Sequence, residues 1–471
     1  MNRGKKLFKN TIIISIGKAC TQLITFILLP LYTGVLSTDE YGIVDLLNTL
    51  VFLIAPIITF QIEQAIFRNL IEARSDEEKT KKIISSGIIT VFFQIVLFLI
   101  VFLIISPLIR NEYKYFLTAN VITYIISSIF LQISRGLGDN KKYSLGSFLN
   151  AFFTIIFNVL FLVAIKLRVT GMLLGTLLGH IVCMVFLFIS LKLYKYISFK
   201  SYDKKLVKKL LKYSVPLIPN AISWWVFGSS DRLIVSTSLG LSMNGILSAS
   251  SKFSGVYTTC FNVFDIGWTE SIALHIKDAD IEDYFNKTLN TILKLFFSLA
   301  IAIISFMPFV YPIMINKNYA FGYNLVPILI FGAFFNVLQG LIAAIYAGKK
   351  DTKSIAKTSI IAAILNIIIH ISLLKVIGLY AAAVSTLASF IIIALYRLYD
   401  VNKRYLKIRI ERKFIISSFI ITLIIIPLYY MNNLYLNILS ILLFIVCSIF
   451  INKNLIQIIY KAITSKLKKG D

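Results

Sequence analysis

Apolar runs of about twenty residues recur from one end of this chain to the other, parted by short basic loops. A run of that length is what an α-helix needs to cross a hydrocarbon core about 30 Å thick. Lipid offers no partner to backbone N–H and C=O groups, so such runs must be helical. Read this way, the 471 residues hold about fourteen spans, near 10-36, 42-65, 83-108, 115-134, 144-165, 170-191, 213-238, 243-270, 288-314, 323-347, 355-376, 378-398, 414-431 and 436-452. No loop exceeds about twenty residues, which leaves no room for a soluble domain. The expected fold class is an all-α polytopic membrane protein.

Composition agrees. The chain is 58% hydrophobic with a mean hydropathy of +0.83 and 15% charged residues, against roughly 45 to 50% apolar and 25% charged in soluble domains. A net charge of +26 would suggest a nucleic-acid partner in a soluble protein, but here the basic residues sit in loops and report topology instead. With both termini cytoplasmic, 38 of the 48 Lys and Arg fall inside, six fall outside and four (Lys18, Arg232, Lys252 and Lys294) fall within spans. Arg397 is counted with the inner loop after span 12. The first apolar run, from Thr11 to Leu36, is too long for a signal-peptide core and carries Lys18, so it is expected to stay as a span. Cys20, Cys183, Cys260 and Cys447 lie in separate apolar runs and read as buried packing residues.

The chain repeats itself. Placing Gly245 over Gly42 aligns Leu36-Ser37-Thr38-Asp39-Glu40-Tyr41-Gly42 with Leu239-Gly240-Leu241-Ser242-Met243-Asn244-Gly245, an offset of 203 residues. Further on, GDNKKYS at 138 to 144 resembles GKKDTKS at 348 to 354, Asn158 answers Asn366 and Gly171 answers Gly378, with offsets of 210, 208 and 207. Six spans separate equivalent elements, so the copies share one orientation, as in transporters whose two halves are related by an axis along the membrane normal. The expected organisation is a six-helix lobe at 1-198, a basic linker at 199-212, a second lobe at 213-400, and two extra helices with a basic tail at 401-471. The linker contains KSYDKKLVKKLLK, whose apolar residues recur at helical spacing. It reads either as an amphipathic helix on the inner leaflet or as a solvated basic loop.

Charges at bilayer depth are costly and mark candidate sites. Lys18 shares a stripe with Thr11, Gln22 and Thr25 on span 1. On span 2, Asp45, Thr49, Pro56, Thr59 and Glu63 share a face if the helix is continuous, since eighteen residues make five turns. Both carboxylates stand near span ends, where they could reach the interface. Asp231 and Arg232 are adjacent on span 7 and point about 100° apart, so each is expected to find its partner on another helix, or Arg232 to line the outer mouth. Lys252 lies near the midplane on the face of Ser248 and Thr259. His180, Asn366 and His370 read as helix-to-helix hydrogen bonders, and Gly171 and Gly175 as a close-packing pair. Metal-ligand, nucleophile-elbow and Walker motifs are not seen, so no cofactor is expected.

Three stretches carry a resemblance: NTIIISIGKACTQLITFILLPLYTGVLSTDEYGIVDL near the N-terminus, RGLGDNKKYSLGSFLNAFFTIIFNVLFL at 135 to 162, and DRLIVSTSLGLSMNGILSASSKF at 231 to 253. With them the chain resembles the Wzx-type polysaccharide flippases of the multidrug/oligosaccharidyl-lipid/polysaccharide exporter superfamily. The resemblance implies a two-lobed transporter, not an enzyme, in the bacterial cytoplasmic membrane. Its cargo would be an undecaprenyl-pyrophosphate-linked oligosaccharide bound for surface polysaccharide (O-antigen, capsule or exopolysaccharide). Membrane lipids, a polysaccharide polymerase and glycosyltransferases are the implied partners. Lys18, Lys252 and Arg232 would then meet the pyrophosphate, and Asp45, Glu63 and Asp231 are candidates for ion coupling or for lining the cavity. Coupling to the membrane potential or to a proton or sodium gradient is expected. The alternatives are a multidrug or metabolite cation antiporter on the same fold, and a membrane glycan polymerase or glycosyltransferase, against which the short outer loops argue.

Overall fold

A computed structural model describes residues 25–453 and 457. The described residues form sixteen α-helices joined by short turns, without strands. Eleven helical stretches are long and apolar enough to cross a membrane, so the chain is an all-α multi-pass membrane protein. Predicted spans 7 and 8 are also helices, of 21 and 35 residues, but carry too many polar groups to rank with those eleven. Contacts divide the chain into two compact units, residues 1–248 and 249–471. The boundary falls inside one long helix.

The first unit contains α1 (Leu29–Val35), α2 (Thr38–Thr59), α3 (Ile62–Ala73), α4 (Glu77–Ile105), α5 (Lys114–Gly136), α6 (Asn140–Val159), α7 (Arg168–Ser190), α8 (Lys204–Ser214), α9 (Ile218–Ser238) and the start of α10 (Leu241–His275). Local chemistry explains the helix starts. Ser37 and Glu40 close a capping box on α2, with Ser37 N–H donating to Glu40 Oε2 at 2.8 Å, and Asp76 and Asp139 cap α4 and α6. The core packs Ile66 and Leu70 of α3 against Ile84 of α4, Ile125 and Ile129 of α5, and Cys183 and Leu187 of α7. Cys183 is buried as expected, whereas Cys260 is exposed and Cys447 only partly buried, so neither is the buried packing residue expected.

Glycines on α7 let α6 approach closely, which bears out the small-residue reading. A Cβ at Gly175 would lie 2.0 Å from Asn158 Oδ1, and one at Gly179 would lie 1.9 Å from Thr154 Oγ1 and 2.8 Å from the Asn150 carbonyl. Gly175→Leu is therefore expected to lower the melting midpoint of the detergent-purified protein, with an overpacking cost of about 1 to 3 kcal/mol. An unchanged midpoint would show that α6 can retreat.

The basic linker contains the amphipathic helix α8, capped by Asp203. Its apolar face is already occupied. Val207 and Leu210 are buried against α3 and α4, and Leu210 belongs to the first unit's core, so this face is not left for the inner leaflet. Lys204, Lys205, Lys208, Lys209 and Lys212 all remain exposed.

The repeat is visible in backbone geometry. A Cβ on Gly42 would stand 2.0 Å from the carbonyl oxygen of Leu241, and one on Gly245 would stand 2.0 Å from that of Thr38. Each glycine thus faces the carbonyl four residues before the other. Thr38 Oγ1 and Ser242 Oγ are 2.6 Å apart, and Asn244 Nδ2 donates to the Gly42 carbonyl at 2.8 Å. Such reciprocity is what two equivalent helix starts make about a local two-fold.

Beyond this hairpin the offsets of 210, 208 and 207 give way to a single value. Leu137, Gly138 and Asp139 donate their N–H groups to the carbonyls of Ile133, Arg135 and Ser134, and Lys349, Lys350 and Asp351 donate to those of Ile345, Ala347 and Tyr346. Asp139 and Asp351 then cap the next helices through the N–H groups of Lys142 and Ser354. Every pair is 212 apart, and so are the left-handed residues Lys166 and Gly378, at φ 62 and 56. Matching Gly138 to Gly348 misled the sequence alignment, because the left-handed position of the second turn is held by Lys350, at φ 59, and not by a glycine.

The second unit holds the rest of α10, then α11 (Ile281–Met314), α12 (Val326–Gly348), α13 (Thr352–Ile377), α14 (Tyr380–Arg404), α15 (Arg412–Met431) and α16 (Leu434–Ile451). The last two lie outside the repeat and pack on α11. Two asparagines one turn apart on α11 clasp the segment leading into α15. Asn286 Nδ2 donates to the Lys407 carbonyl at 2.9 Å and its Oδ1 accepts from Arg409 N–H at 2.7 Å. Asn290 does the same to Arg409 and Glu411, at 2.8 and 2.9 Å. Lys294, one turn further, pairs with Glu411 at 2.7 Å. Tyr323 and Tyr429 stack at 4.2 Å and exchange hydroxyl-to-carbonyl hydrogen bonds.

Candidate functional site

Three polar clusters lie within the helices. In the first unit, α9 packs on α2, and the two are stitched at neighbouring turns. Trp225 Nε1 donates to the Thr49 carbonyl at 2.9 Å, and Arg232 Nε lies 2.7 Å from Asp45 Oδ2. Both charged side chains are largely buried, at 20% and 14% exposure. Adjacent helical residues diverge by about 100°, so Arg232 bypasses Asp231 and takes its partner from another helix, as the sequence predicts. Its Nη1 donates to the Gly228 carbonyl at 3.0 Å. Asp231 is half-buried and engaged in interactions of its own. Arg232 is therefore a compensated cation here.

A second cluster surrounds the junction of α2 and α3. The expectation that Asp45 and Glu63 share one helical face does not hold, because Phe60 and Gln61 adopt left-handed conformations, at φ 52 and 56, and the helix restarts at Ile62. The five-turn argument needs an unbroken helix. Glu63 also does not reach outward. It is 8% exposed, and its Oε2 has no hydrogen-bond partner. Thr59 and Tyr124 of α5 lie near it, and Gln94 Nε2 of α4 donates to the Thr59 carbonyl at 3.3 Å. Tyr124 meets the His180 ring edge-on at 5.7 Å, and His180 Nδ1 contacts Ser127 and Asn150 at 3.4 and 3.1 Å. The helix-bridging role expected of His180 is thus present. Asn366 plays the same part in the second unit, donating to Thr386 Oγ1 at 3.2 Å.

The third cluster was not anticipated. Arg397, counted in the sequence as an inner-loop charge, is 2% exposed inside α14. It donates to Thr358 Oγ1 at 3.0 and 2.7 Å, to Ser359 Oγ at 3.3 Å and to Gln339, all neutral acceptors on α12 and α13. The stripe of Ser385, Ser389 and Ile393, each four residues apart and buried, is the signal that pointed Arg397 inward. One turn on, Asp400 accepts from Tyr346 Oη at 2.6 Å and pairs with Arg404, which also reaches Asp351 at 3.1 Å. Ser354, joined by Tyr405 and Arg404, holds the Asp351 carboxyl down at about 2, against an ordinary 3.8, so this cap stays ionised at any physiological pH.

Of the three cations expected to meet an anionic cargo, Arg232 stands in the first unit, ion-paired to Asp45. Lys252 belongs to the second unit, half-buried on α10 and engaged with neighbours. Lys18 lies outside the described residues.

The comparisons agree with this architecture. The chain is similar to the lipid II flippase MurJ in an inward closed conformation, with a TM-score of 0.72, 16% identity, and coverage of 95% of this chain and 100% of that one. It is also similar to a multidrug resistance MATE family transporter of the MOP superfamily. The inward-facing form gives a TM-score of 0.65 at 12% identity over 82% of this chain and 98% of that one. The outward-facing form gives 0.59 at 14% identity over 84% and 95%. These likenesses establish the fold. No curated protein matches significantly. The family described as polysaccharide biosynthesis protein matches residues 7–264, more than half of the chain, and the chain accordingly belongs to that family.

Proposed function

We propose that this protein moves a polyprenyl-pyrophosphate-linked oligosaccharide from the inner to the outer leaflet of the bacterial cytoplasmic membrane by alternating access, supplying surface polysaccharide assembly. The observation that carries the reading is membership of a polysaccharide biosynthesis family on an exporter fold. The chemistry of the cargo fits the side chains. A pyrophosphate needs cations inside the membrane; Lys252 and Lys18 would supply two point charges, and Arg232, ion-paired to Asp45 in this structure, a fork once the pair opens. An exporter of cationic drugs needs the opposite sign. That reading has the likeness to MATE transporters in its favour, and in it Glu63 becomes the cargo's partner.

Deletion of the gene is expected to leave a lipid-linked oligosaccharide on the cytoplasmic leaflet. Loss of dye export with normal surface glycan would instead support the antiporter. Lys252→Ala is expected to abolish glycan export while the protein remains in the membrane, measured as surface glycan against membrane-fraction protein. Normal glycan in that variant would remove Lys252 from the site. The membrane potential favours outward movement of an anionic headgroup by about 2.3 kcal/mol per charge per 100 mV. Coupling to a cation gradient would add to it.

A further inference from the structure

The two copies of the repeat part company where α6 ends. At the offset of 212, residues 372–376 complete α13 as an ordinary α-helix, and Gly378 N–H returns to the Leu374 carbonyl at 3.0 Å. In the first copy Leu160–Ala164 form a π-turn instead. Ile165 N–H reaches back five residues to the Leu160 carbonyl at 3.1 Å, and Leu167 N–H six residues to that of Phe161 at 2.8 Å. Lys166 then takes the left-handed conformation that Gly378 takes in the other copy, and Arg168 takes another, at φ 51. A Cβ makes that conformation costly, and single π-turns within α-helices are frequent at functional sites. The scaffold does not demand either feature, since the second copy makes the same turn with an α-helix and a glycine.

Around this turn lies a groove with an apolar floor and a basic rim. It measures about 420 Å³ and is lined by Leu31 and Val35 of α1, Leu162 and Val163 of the π-turn, and Lys166 and Arg168. Val163, 50% exposed, also borders a second, wholly apolar concavity of about 450 Å³ that runs along the end of α6. The two rim charges are not equivalent. The Arg168 guanidinium donates to both carboxylate oxygens of Glu40, which cancels its charge. Lys166 is exposed, and no carboxylate pairs with it among the described residues. The rim therefore carries one net positive charge. By the charge bias of the loops, this end of α6 belongs to the outer leaflet.

We propose that this groove is a phospholipid site, in which an acyl chain of an outer-leaflet phosphatidylglycerol lies along Val163 and the Lys166 ammonium holds its phosphate. Each part of the groove selects for part of that occupant. The apolar floor offers nothing to a polar group, which would be buried there without a partner. Lysine is a compact point charge on a flexible stem, suited to a phosphate at the membrane interface. One net positive charge matches the single negative charge of an anionic phosphodiester lipid. It finds no net charge to answer on a zwitterionic lipid, and it falls short of a pyrophosphate. The walls come from α1, the π-turn and α7, so a seated lipid ties these three elements together. The site does not rest on the flippase reading.

The test places the purified full-length protein in nanodiscs containing phosphatidylglycerol with a diazirine on its acyl chain, and reads cross-links by peptide mass spectrometry. Label is expected in the segment from Leu160 to Lys166, at several times the level given by the matching phosphatidylcholine. Lys166→Gly supplies the residue that the second copy uses, so the turn is kept. It is expected to lower the phosphatidylglycerol label about tenfold, the worth of one hydrogen bond to a charged group. Lys166→Arg keeps the charge and is expected to keep the label. Val163→Trp, at an exposed position, fills the groove and is expected to remove label from this segment. Equal labelling by the two lipids, or undiminished label in Lys166→Gly, would reduce the groove to ordinary boundary packing and overturn the site. Stronger labelling by a diazirine-bearing polyprenyl pyrophosphate than by phosphatidylglycerol would also overturn it, by giving the groove to the cargo's carrier. No glycan export enters the assay, so its failure and a failure of the flippase reading are separable.

Discussion

Gly42→Ala and Gly245→Ala are each expected to remove most of the folded protein from the membrane, an outcome more severe than a single methyl group produces in an ordinary core. The reason is what the methyl would strike. At both positions the nearest atom is a backbone carbonyl oxygen at 2.0 Å, with further backbone atoms at 2.9 to 3.1 Å. A flexible side chain can swing aside, but a helix's first turn cannot. Relief requires the two helix starts to separate, which breaks the Thr38 to Ser242 and Asn244 to Gly42 hydrogen bonds along with the close approach. The cost is expected to reach or exceed the upper end of the overpacking range, about 3 kcal/mol. Gly34, whose added Cβ would meet nothing within 4 Å, is the control. The monodisperse fraction in gel filtration of detergent extracts measures the effect. Wild-type behaviour of either alanine variant would mean that the contact is looser than described.

Arg232→Ala is the second large effect. It removes the guanidinium that stands 2.7 Å from Asp45, a carboxylate with 14% of its side chain exposed in the intact pair, and breaking a buried ion pair from one side costs up to about 3 to 5 kcal/mol. Removing both charges is a different experiment. Asp45→Asn combined with Arg232→Gln replaces the pair by two neutral groups able to hydrogen-bond each other, and should recover most of the lost stability. If Arg232 also meets the cargo, the double variant will be folded and yet export little surface glycan. Recovery of both folding and export would reduce Arg232 to a strut between α9 and α2. Failure to recover folding would show that the two residues are not energetically coupled.

What could be read from the sequence follows from the range of the forces involved. Helices and most span limits were legible, because lipid forbids any other way of satisfying the backbone. The Gly42 to Gly245 equivalence was legible because both positions need glycine for the same steric reason. The register of the later turns was not, since a left-handed residue can be Gly138 in one copy and Lys350 in the other, and conformation there is held by hydrogen bonds that leave no residue signature. The break at Phe60 and Gln61 was hidden likewise: neither residue is a usual helix breaker, and Pro56 lies within α2 itself. Arg397 went unnoticed because a basic residue near a span end looks like topology until its burial is known. For Lys252, Arg232 and Asp231, the sequence located intramembrane charge, and the structure adds that Arg232 meets Asp45.

The asparagine clasp on α11 has an evolutionary consequence. Asn286 and Asn290 read only the backbone of residues 407 to 411, as one strand reads another, while Arg409 also pairs with Glu282 of α11 at 3.4 Å. Selection falls on two amides and on Glu411, which answers Lys294. The helices beyond can drift in sequence, or be exchanged for another pair, without losing their attachment.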